Sequence, residues 1–238
     1  MFETLEVRGI PLQAVQNLDI FANFLINKER VQTGKLIAIN AEKVVLSQEP
    51  ELGKILKHNE WNYADGVSVV CTLKKKYPQY QNLERIAGAD LWQALMKRAG
   101  DLQVPVFLIG AKENVLTQTL EKLKEQNIAV VGWQDGYFTD EEGLLERVKQ
   151  SGAKFISVAM GSPKQERLMI KLQEAHPKAL YMGVGGTYDV FVGAAKRAPK
   201  SWQKLGLEWF YRLLQQPTRY KRQFNLLKYT YYYLTKQL

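Results

Sequence analysis

Hydrophobic residues in the middle of the chain fall into short continuous runs, separated by longer stretches with helical spacing. The runs predict strands at 35–39, 104–109, 128–131, 155–159 and 179–184. The stretches between and after them predict helices at 41–57, 112–126, 140–150 and 163–175. Strands that alternate with helices form parallel sheets covered on both faces. The pattern therefore predicts an α/β fold with a Rossmann-like, largely parallel sheet flanked by helices.

The N-terminal part of the pattern is less regular. Apolar residues between 12 and 26 recur at helical intervals, which predicts a first helix there. A turn at 64–66 lies between apolar stretches and contains an acid, Asp65. Asp90 is the predicted N-cap of a later helix.

The chain changes character after Pro199, where helices follow without strands. One apolar stripe comprises Leu205, Trp209, Phe210, Leu213 and Leu214, and a second comprises Tyr220, Phe224, Leu227, Tyr231 and Leu234. Pro217 interrupts the helical pattern between the two stripes. We therefore predict an α/β domain at 1–195 and a helical appendage at 196–238 that docks on it.

Net charge is concentrated in this appendage. Residues 196–238 contain ten lysines or arginines and one acid, Glu208, whereas residues 1–195 carry 23 basic and 23 acidic residues. The appendage thus holds the whole net charge of +9, with ten of the 26 aromatic residues. Cations mixed with Trp and Tyr are typical of binding to an anionic membrane surface, where the cations meet lipid phosphates. Nucleic acid is the alternative partner for such a segment.

Composition argues against several classes of protein. The single cysteine, Cys71, excludes an internal disulfide, and two scattered histidines, His58 and His176, form no zinc-binding cluster. No uncharged apolar run approaches about 20 residues, and the first residues lack the pattern of a signal peptide. We therefore expect a cytoplasmic protein that touches a membrane without crossing it.

Glycines follow three of the predicted strands, at the edge of a parallel sheet where ligands bind. They are Gly110, Gly161 and Gly183. Gly161 opens the segment Gly-Ser-Pro-Lys-Gln-Glu, in which we place Pro163 at the first helical position. Free amides at that helix end, with Lys164 beside them, would hold a diphosphate. An ordinary capped helix explains the same residues equally well.

A second glycine turn spans residues 183–189 and reads Gly-Val-Gly-Gly-Thr-Tyr-Asp. Its acid, Asp189, could take ribose hydroxyls. The glycines do not match the usual dinucleotide fingerprint, which argues against nicotinamide binding. We therefore predict no cofactor.

Asp65 is the best single candidate for a general base, because an acid in an apolar setting is costly unless it is solvated, paired or functional. The alternative is that it caps the turn before Gly66. Arg85 either pairs with a substrate carboxylate or phosphate, or forms a surface salt bridge. Asn40, at the end of a strand, either binds a sugar hydroxyl or caps the next helix.

The chain contains no Asp-x-Asp motif, the paired carboxylates that usually hold Mn²⁺ or Mg²⁺ under a nucleotide-sugar diphosphate. We therefore predict no metal site, and expect amides, lysines and arginines to neutralise a leaving diphosphate. The candidate arginines in the appendage are Arg197, Arg212, Arg219 and Arg222.

Seven segments together resemble the WecG/TagA/CpsF glycosyltransferases in order and spacing. They are Ile-Asn-Ala-Glu-Lys at 39–43, Tyr-Ala-Asp-Gly at 63–66, Glu-Arg-Ile-Ala-Gly-Ala-Asp-Leu at 84–91, Met-Gly-Ser-Pro-Lys-Gln-Glu at 160–166, the glycine turn at 183–189, Arg-Ala-Pro at 197–199 and the Leu-Glu-Trp to Arg-Leu-Leu segment at 207–214. Within the family, the closer likeness is to the transferases of N-acetyl-D-mannosaminuronic acid.

The resemblance implies an inverting glycosyltransferase of enterobacterial common antigen biosynthesis. The donor would be UDP-N-acetyl-D-mannosaminuronic acid, and the acceptor would be undecaprenyl-diphosphate-linked GlcNAc. The enzyme would work at the inner face of the cytoplasmic membrane, without nucleic acid as a partner. The 1–195 domain would then be catalytic, and the appendage would close over its site at the membrane.

The resemblance also implies roles for individual residues. Asp65 would act as the general base, Asn40 and Gln165 would lie near the transferred sugar, and Arg85 would line the pocket. The four arginines of the appendage would lie over the acceptor and donor diphosphates. The predicted donor-binding residues are Gly110, Gly161, Pro163, Lys164, Glu166, Gly183, Gly185, Gly186, Thr187 and Asp189, of which Asp189 would lie near the nucleoside.

Three questions stay open at this point. UDP-N-acetylmannosamine, used in teichoic acid linkage synthesis, differs from the first donor by one carboxylate, which either Arg85 or Lys164 could bind. A protein of another class, a nucleotide-binding module with a nucleic-acid-binding tail, is the alternative to an enzyme. An exposed apolar stripe would also permit a homo-oligomer.

Overall fold

The structure is a computed structural model that describes residues 2–204, 206–215 and 220–238, without the side chains of residues 204, 212 and 220–223. Its strands are β1 (Thr4–Val7), β2 (Ile10–Gln13), β3 (Gly34–Ile39), β4 (Trp61–Ala64), β5 (Val106–Gly110), β6 (Val130–Gln134), β7 (Phe155–Ala159) and β8 (Leu180–Gly183). Its helices are α1 (Leu18–Leu25), α2 (Ala41–Leu46), α3 (Pro50–Lys57), α4 (Val67–Lys76), α5 (Gly88–Asp101), α6 (Glu113–Glu125), α7 (Glu141–Ser151), α8 (Lys164–Ala175), α9 (Thr187–Val192), α10 (Lys200–Lys204), α11 (Glu208–Gln215) and α12 (Tyr220–Leu234).

A six-stranded sheet in the order β4-β3-β8-β7-β5-β6 forms the centre of the molecule. Every neighbouring pair in this sheet is parallel. Strands β1 and β2 form a separate antiparallel hairpin. The predicted Rossmann-like α/β fold, with a parallel sheet flanked by helices, is therefore confirmed.

Both faces of the sheet are covered, because alternate residues of each strand point to opposite sides. Ile37 and Ile39 of β3 belong to one apolar core, and Leu36 belongs to the core on the other face. The first core also receives residues from α2, α3, α4, α7, α8, α12 and the hairpin. The second receives residues from α1, α5, α6 and α9. This layering leaves the carboxyl edge of the sheet as the place where loops from several strands meet.

The structure corrects several predicted boundaries, two of them near the N-terminus. The segment predicted as one helix at 12–26 begins as strand β2, and helix α1 starts only at Leu18, where the side chain of Asn17 caps it. The segment predicted as one helix at 41–57 is two helices, because Pro50 starts a new one at α3. Strand β6 begins at Val130, two residues later than predicted, after Asn127 adopts a left-handed conformation with φ 56°.

The helices predicted after Pro199 are present as α10, α11 and α12 in the described part of the chain. Helix α12 packs against α2, and among its described side chains Tyr229 and Tyr232 are buried. The Tyr229 hydroxyl shares a hydrogen bond of 2.7 Å with the Thr72 hydroxyl, and the guanidinium of Arg8 lies 3.8 Å from the centre of the Tyr232 ring. Two tyrosines thus fix α12 on the rest of the molecule.

The apolar stripes predicted in the appendage lie largely at the surface. The exposed members among the described side chains are Trp209, Phe210, Leu214, Phe224, Leu227, Tyr231 and Leu234. Leu205 and the side chain of Tyr220 lie outside the description. Within the described residues, none of the helices combines the length and apolar character needed to span a bilayer.

Candidate functional site

The ends of β3 and β4 form one corner of the candidate site. The backbone amides of Asp65 and Gly66 both donate to the carbonyl of Ile39, at 3.0 and 3.3 Å. A Cβ atom on Gly66 would lie 3.2 Å from the Cα atom of Asn40, so the two strand ends are in close contact. The topology therefore brings Asn40 and Asp65, which are 25 positions apart in the sequence, to adjacent turns.

Asn40 is the N-cap of α2. Its Oδ1 atom accepts a hydrogen bond of 3.0 Å from the backbone amide of Lys43. This contact is the helix-capping alternative considered from the sequence. The Nδ2 atom of Asn40 makes no hydrogen bond within the described residues, and the role of Asn40 near a sugar stays a prediction.

Arg85 lies beside Asp65. Its Nε atom donates to the Asp65 carbonyl at 2.6 Å, and its Nη2 atom is 3.5 Å from the Asp65 carboxylate. The same Nη2 atom donates to Glu208, on α11, at 2.8 Å. Burial alone would lower the pKa of Arg85, but the charges of Asp65 and Glu208 raise it. Arg85 is therefore a permanent cation between two carboxylates, and not a surface salt bridge of the ordinary kind.

Arg197 joins the same network from the loop before α10. Its two terminal nitrogens bind the Asp90 carboxylate, one of them at 2.8 Å, and its Nε atom is 3.6 Å from Glu208. The hydrogen bonds with Asp90 are the main cause of the raised pKa of Arg197. Asp90 was predicted as an N-cap, and this is wrong: α5 starts at Gly88, and Asp90 lies in its first turn.

Tyr63 is another titratable side chain at this corner. It is fully buried, and its hydroxyl has no hydrogen-bond partner among the described residues. Burial, and secondarily the charge of Asp65, raise its pKa well above the usual value. Tyr63 is thus protonated at neutral pH and is not a candidate base.

The two glycine turns form the second corner, and Gln165 connects them. Its Oε1 atom accepts hydrogen bonds from the amides of Gly161, at 3.2 Å, and Gly185, at 3.0 Å. Gln165 is buried, and its Nε2 atom donates to Glu166 at 3.1 Å. These two glycine amides are therefore satisfied within the protein, whereas the sequence led us to expect free amides at this helix end.

Two other strand-end glycines are explained by close packing. A Cβ atom on Gly183 would lie 2.6 Å from the Nε2 atom of Gln165. At Gly110, which has φ 108°, a Cβ atom would lie 2.4 Å from the carbonyl oxygen of Ala159. Both positions require glycine for the fold, and their roles in donor binding stay predictions.

Glu166 and Lys43 connect the two corners. Glu166 is fully buried on α8, and its carboxylate is 2.8 Å from the ammonium of Lys43, near the start of α2. Burial would raise the pKa of Glu166, but the Lys43 charge and hydrogen bonds outweigh it and lower that pKa. The predicted donor-binding Glu166 is thus an ionised carboxylate that already has a cationic partner.

The remaining predicted donor-binding residues lie around the glycine turns. Pro163 is the N-cap of α8 and not its first helical residue, so that predicted position is wrong by one residue. Lys164 is exposed and forms no ion pair within the described residues. Thr187 is buried and donates to the Val184 carbonyl at 2.7 Å. Asp189, on α9, lies close to Gly186, at 3.8 Å from the position of a Cβ atom there.

Three predicted arginines cannot be placed. Arg219 lies outside the described residues, as do the side chains of Arg212 and Arg222. Of the four arginines proposed for diphosphates, the structure locates only the side chain of Arg197, beside Arg85. In the described ranges, no three His, Cys, Asp or Glu side chains group together in a way that could hold a metal ion.

Sequence reasoning missed the parts played by Lys43 and Glu208. Lys43 was quoted within a motif without a role, and its position three residues after Asn40 was the only available signal. Glu208 was noted as the one acid in a basic appendage. Its isolation was a signal of an ion pair, because a single acid among ten basic residues has many possible partners.

Comparison with known protein families adds one finding to this geometry. The model of the family described as "Glycosyl transferase WecG/TagA/CpsF family" matches residues 5–238. The match covers both corners of the candidate site and the helices after Pro199. It therefore extends well beyond the individual glycine turns.

Proposed function

The chain belongs to the WecG/TagA/CpsF family of glycosyltransferases, and from this premise we propose that it transfers N-acetyl-D-mannosaminuronic acid from its UDP donor to undecaprenyl-diphosphate-linked GlcNAc. The product would be a lipid-linked disaccharide with inverted anomeric configuration, made for enterobacterial common antigen. The observation that carries the proposal is the partly exposed carboxylate of Asp65, next to Arg85 at the carboxyl edge of a parallel sheet.

Asp65 would act as the general base. Its carboxylate would take the proton of the acceptor hydroxyl, whose oxygen attacks the anomeric carbon of the donor from the side opposite UDP. The bond from that carbon to the diphosphate oxygen breaks, and UDP leaves with the electron pair. Such a displacement requires one base, a held sugar and a neutralised leaving group, and it requires no covalent intermediate.

The second corner would hold the donor. Gln165 keeps the turns at Gly161 and Gly185 together, and exposed Lys164 stands at the start of α8. Helix N-termini and lysines favour phosphate groups. Asp189, on α9, would face the nucleoside. We propose that Lys164 and the N-terminus of α8 neutralise the diphosphate in place of a metal ion.

The acceptor would reach this site from a membrane. The exposed apolar side chains of α11 and α12 include Trp209, Phe210 and Leu227, and the segment that carries them holds the net positive charge of the protein. Aromatic and apolar groups next to cations suit the headgroup region of an anionic bilayer. We propose peripheral association with the inner face of the cytoplasmic membrane.

The alternative donor is UDP-N-acetylmannosamine. The experiment that separates the two uses purified protein with a GlcNAc-diphosphate-polyprenyl acceptor in liposomes, and supplies each UDP sugar in turn. Product mass identifies the transferred sugar, and a parallel reaction with EDTA tests the expectation that no divalent metal is required.

Turnover with the uronic acid donor alone supports the proposed reaction. Turnover with the neutral donor alone keeps the mechanism but moves the enzyme to the teichoic acid linkage reaction. Loss of turnover in EDTA that Mg²⁺ restores contradicts the metal-independent mechanism. No product from either donor contradicts the proposed substrates, and binding of UDP, ATP and RNA would then be compared.

A further inference from the structure

Glu208 is the only acidic residue in the 196–238 segment, and it is buried. Its Oε2 atom accepts from Arg85 Nη2 at 2.8 Å, and its Oε1 atom is 3.6 Å from Arg197 Nε. Arg85 in turn contacts Asp65, and Arg197 contacts Asp90. A network of alternating charges therefore extends from Asp90 on α5, through Arg197 and Glu208 of the appendage and Arg85, to the candidate base Asp65.

Glu208 is buried within this network, so it neither adds to solubility nor forms an ordinary surface ion pair. A carboxylate removed from water costs free energy unless cations compensate it, and here two arginines from outside α11 do so. The other charged residues of the appendage are all basic, so Glu208 is the one side chain of that segment able to pair with an arginine. Its burial links α11 to the loop that carries Arg85.

We infer that Glu208 is a positioning residue: it docks α11 beside the candidate site and fixes the orientation of the Arg85 guanidinium next to Asp65. Arg85 uses its Nε atom for the Asp65 carbonyl and its Nη2 atom for Glu208. Its Nη1 atom makes no hydrogen bond within the described residues. With Nε and Nη2 engaged in this way, the guanidinium can still donate from Nη1 to an anionic group of the substrate.

The consequence is a coupling between the appendage and the site. With Glu208 removed, Arg85 keeps, among its contacts with the described residues, those with Asp65, and α11 loses its ion pair with Arg85. Hydrogen bonds with charged groups are among the stronger side-chain contacts. The orientation of the Arg85 guanidinium would then vary, and α11 would detach from the candidate site more often.

The first test measures docking without any substrate. Hydrogen–deuterium exchange of the peptide covering residues 206–215 is compared in the wild-type chain, Glu208→Ala, Arg85→Ala and the double variant. Each single variant should raise deuterium uptake, and the double variant should raise it no further than the larger single effect. Uptake that is unchanged in Glu208→Ala, or that rises additively in the double variant, overturns the inference.

The second test measures the reaction and rests on the proposed function. Glu208→Ala should lower kcat about 10- to 100-fold, with the Kd for UDP within about twofold of wild type. The loss should be non-additive with Arg85→Ala. Glu208→Gln keeps an oxygen acceptor of the same length and should recover part of the rate.

Glu51→Ala is the matched control, since Glu51 likewise pairs with arginine through both oxygens, in its case with Arg167 alone and at an exposed position. It should change neither deuterium uptake at 206–215 nor kcat. If kcat of Glu208→Ala equals that of wild type, the positioning role is wrong. If the wild-type chain itself gives no product while the exchange results hold, the proposed reaction fails and the docking role stands.

Discussion

The ammonium of Lys43 lies 2.8 Å from the carboxylate of Glu166, and this ion pair joins the helix after β3 to the helix after β7. Both side chains are buried, and Glu166 is the more deeply buried of the two. Lys43 is also tied to Asn40 through its backbone amide. The pair thus sets the relative position of the two corners of the candidate site.

Glu166→Gln should destabilise the protein by about 3 to 5 kcal/mol, because it leaves the Lys43 charge buried without its counterion. Urea unfolding followed by circular dichroism measures the loss. The double variant Lys43→Met/Glu166→Leu should recover most of it, since replacing both members removes the uncompensated charge. A single variant as stable as wild type would contradict a structural role for the pair.

The same pair predicts an acid dependence of stability. The pKa of Glu166 is lowered below its ordinary value of 4.5 in the folded state. Its contribution is therefore fully present above about pH 4.5 and is lost as the pH falls through the lower, folded-state value. The free energy of unfolding should fall more steeply for wild type than for Glu166→Gln between about pH 5 and pH 3. Parallel curves for the two proteins would show that Glu166 contributes nothing to acid sensitivity.

Asp65→Asn should lower turnover about 10²- to 10⁴-fold, the usual contribution of a positioned general base. UDP affinity should hardly change, because the amide keeps the size of the side chain while losing the proton acceptor. Steady-state kinetics and calorimetric UDP binding measure the two effects. Asp101→Asn, an exposed carboxylate paired with Lys97, is the control. Equal turnover in Asp65→Asn and wild type would remove Asp65 from the mechanism.

Five of the six strands of the sheet could be predicted from sequence because each is a short apolar run, whereas β4 (Trp61–Ala64) was not predicted as a strand. Strand β7 was predicted with its observed limits, whereas β6, at the edge of the sheet and half exposed, was predicted two residues early. The N-terminal hairpin was missed because Leu12 and the apolar residues of α1 fit one helical pattern. In that segment, the alternation of Leu5, Val7, Ile10 and Leu12 around Gly9 was the signal for strands.

The candidate site was predictable only where one residue shows its chemistry locally. Asp65 could be selected because an acid interrupts apolar sequence at a turn. Glu208 could not be assigned to Arg85, because the two are 123 residues apart and only the packing of α11 brings them together. Gln165 likewise connects turns from two different strands, which no single motif reveals.

Gly183→Ala should weaken UDP binding. The added Cβ atom would lie 2.6 Å from the Nε2 atom of Gln165, which is buried and held by hydrogen bonds with Gly161, Gly185 and Glu166. Displacement of Gln165 would disturb the turns at Gly161 and Gly185. Overpacking typically costs about 1 to 3 kcal/mol, so both the melting temperature and the UDP affinity should fall. Met182→Leu, at the neighbouring buried position, is the control, and its cost should stay below about 1.5 kcal/mol. If UDP affinity is unchanged in Gly183→Ala, Gln165 does not contribute to the donor site.

Leu227→Glu combined with Leu234→Glu should weaken binding to anionic liposomes without unfolding the protein. These side chains are 68% and 73% exposed on α12, so the folded structure loses little when they change. On a membrane each would bury apolar surface, and a buried leucine contributes about 1.5 to 3 kcal/mol, so the double variant should bind at least tenfold more weakly. Trp133→Glu, at an exposed apolar position on β6, is the control and should sediment with liposomes as wild type does. Undiminished sedimentation of the double variant would show that the exposed face of α12 does not meet the bilayer, and α11 would then be tested in the same way through Trp209 and Phe210.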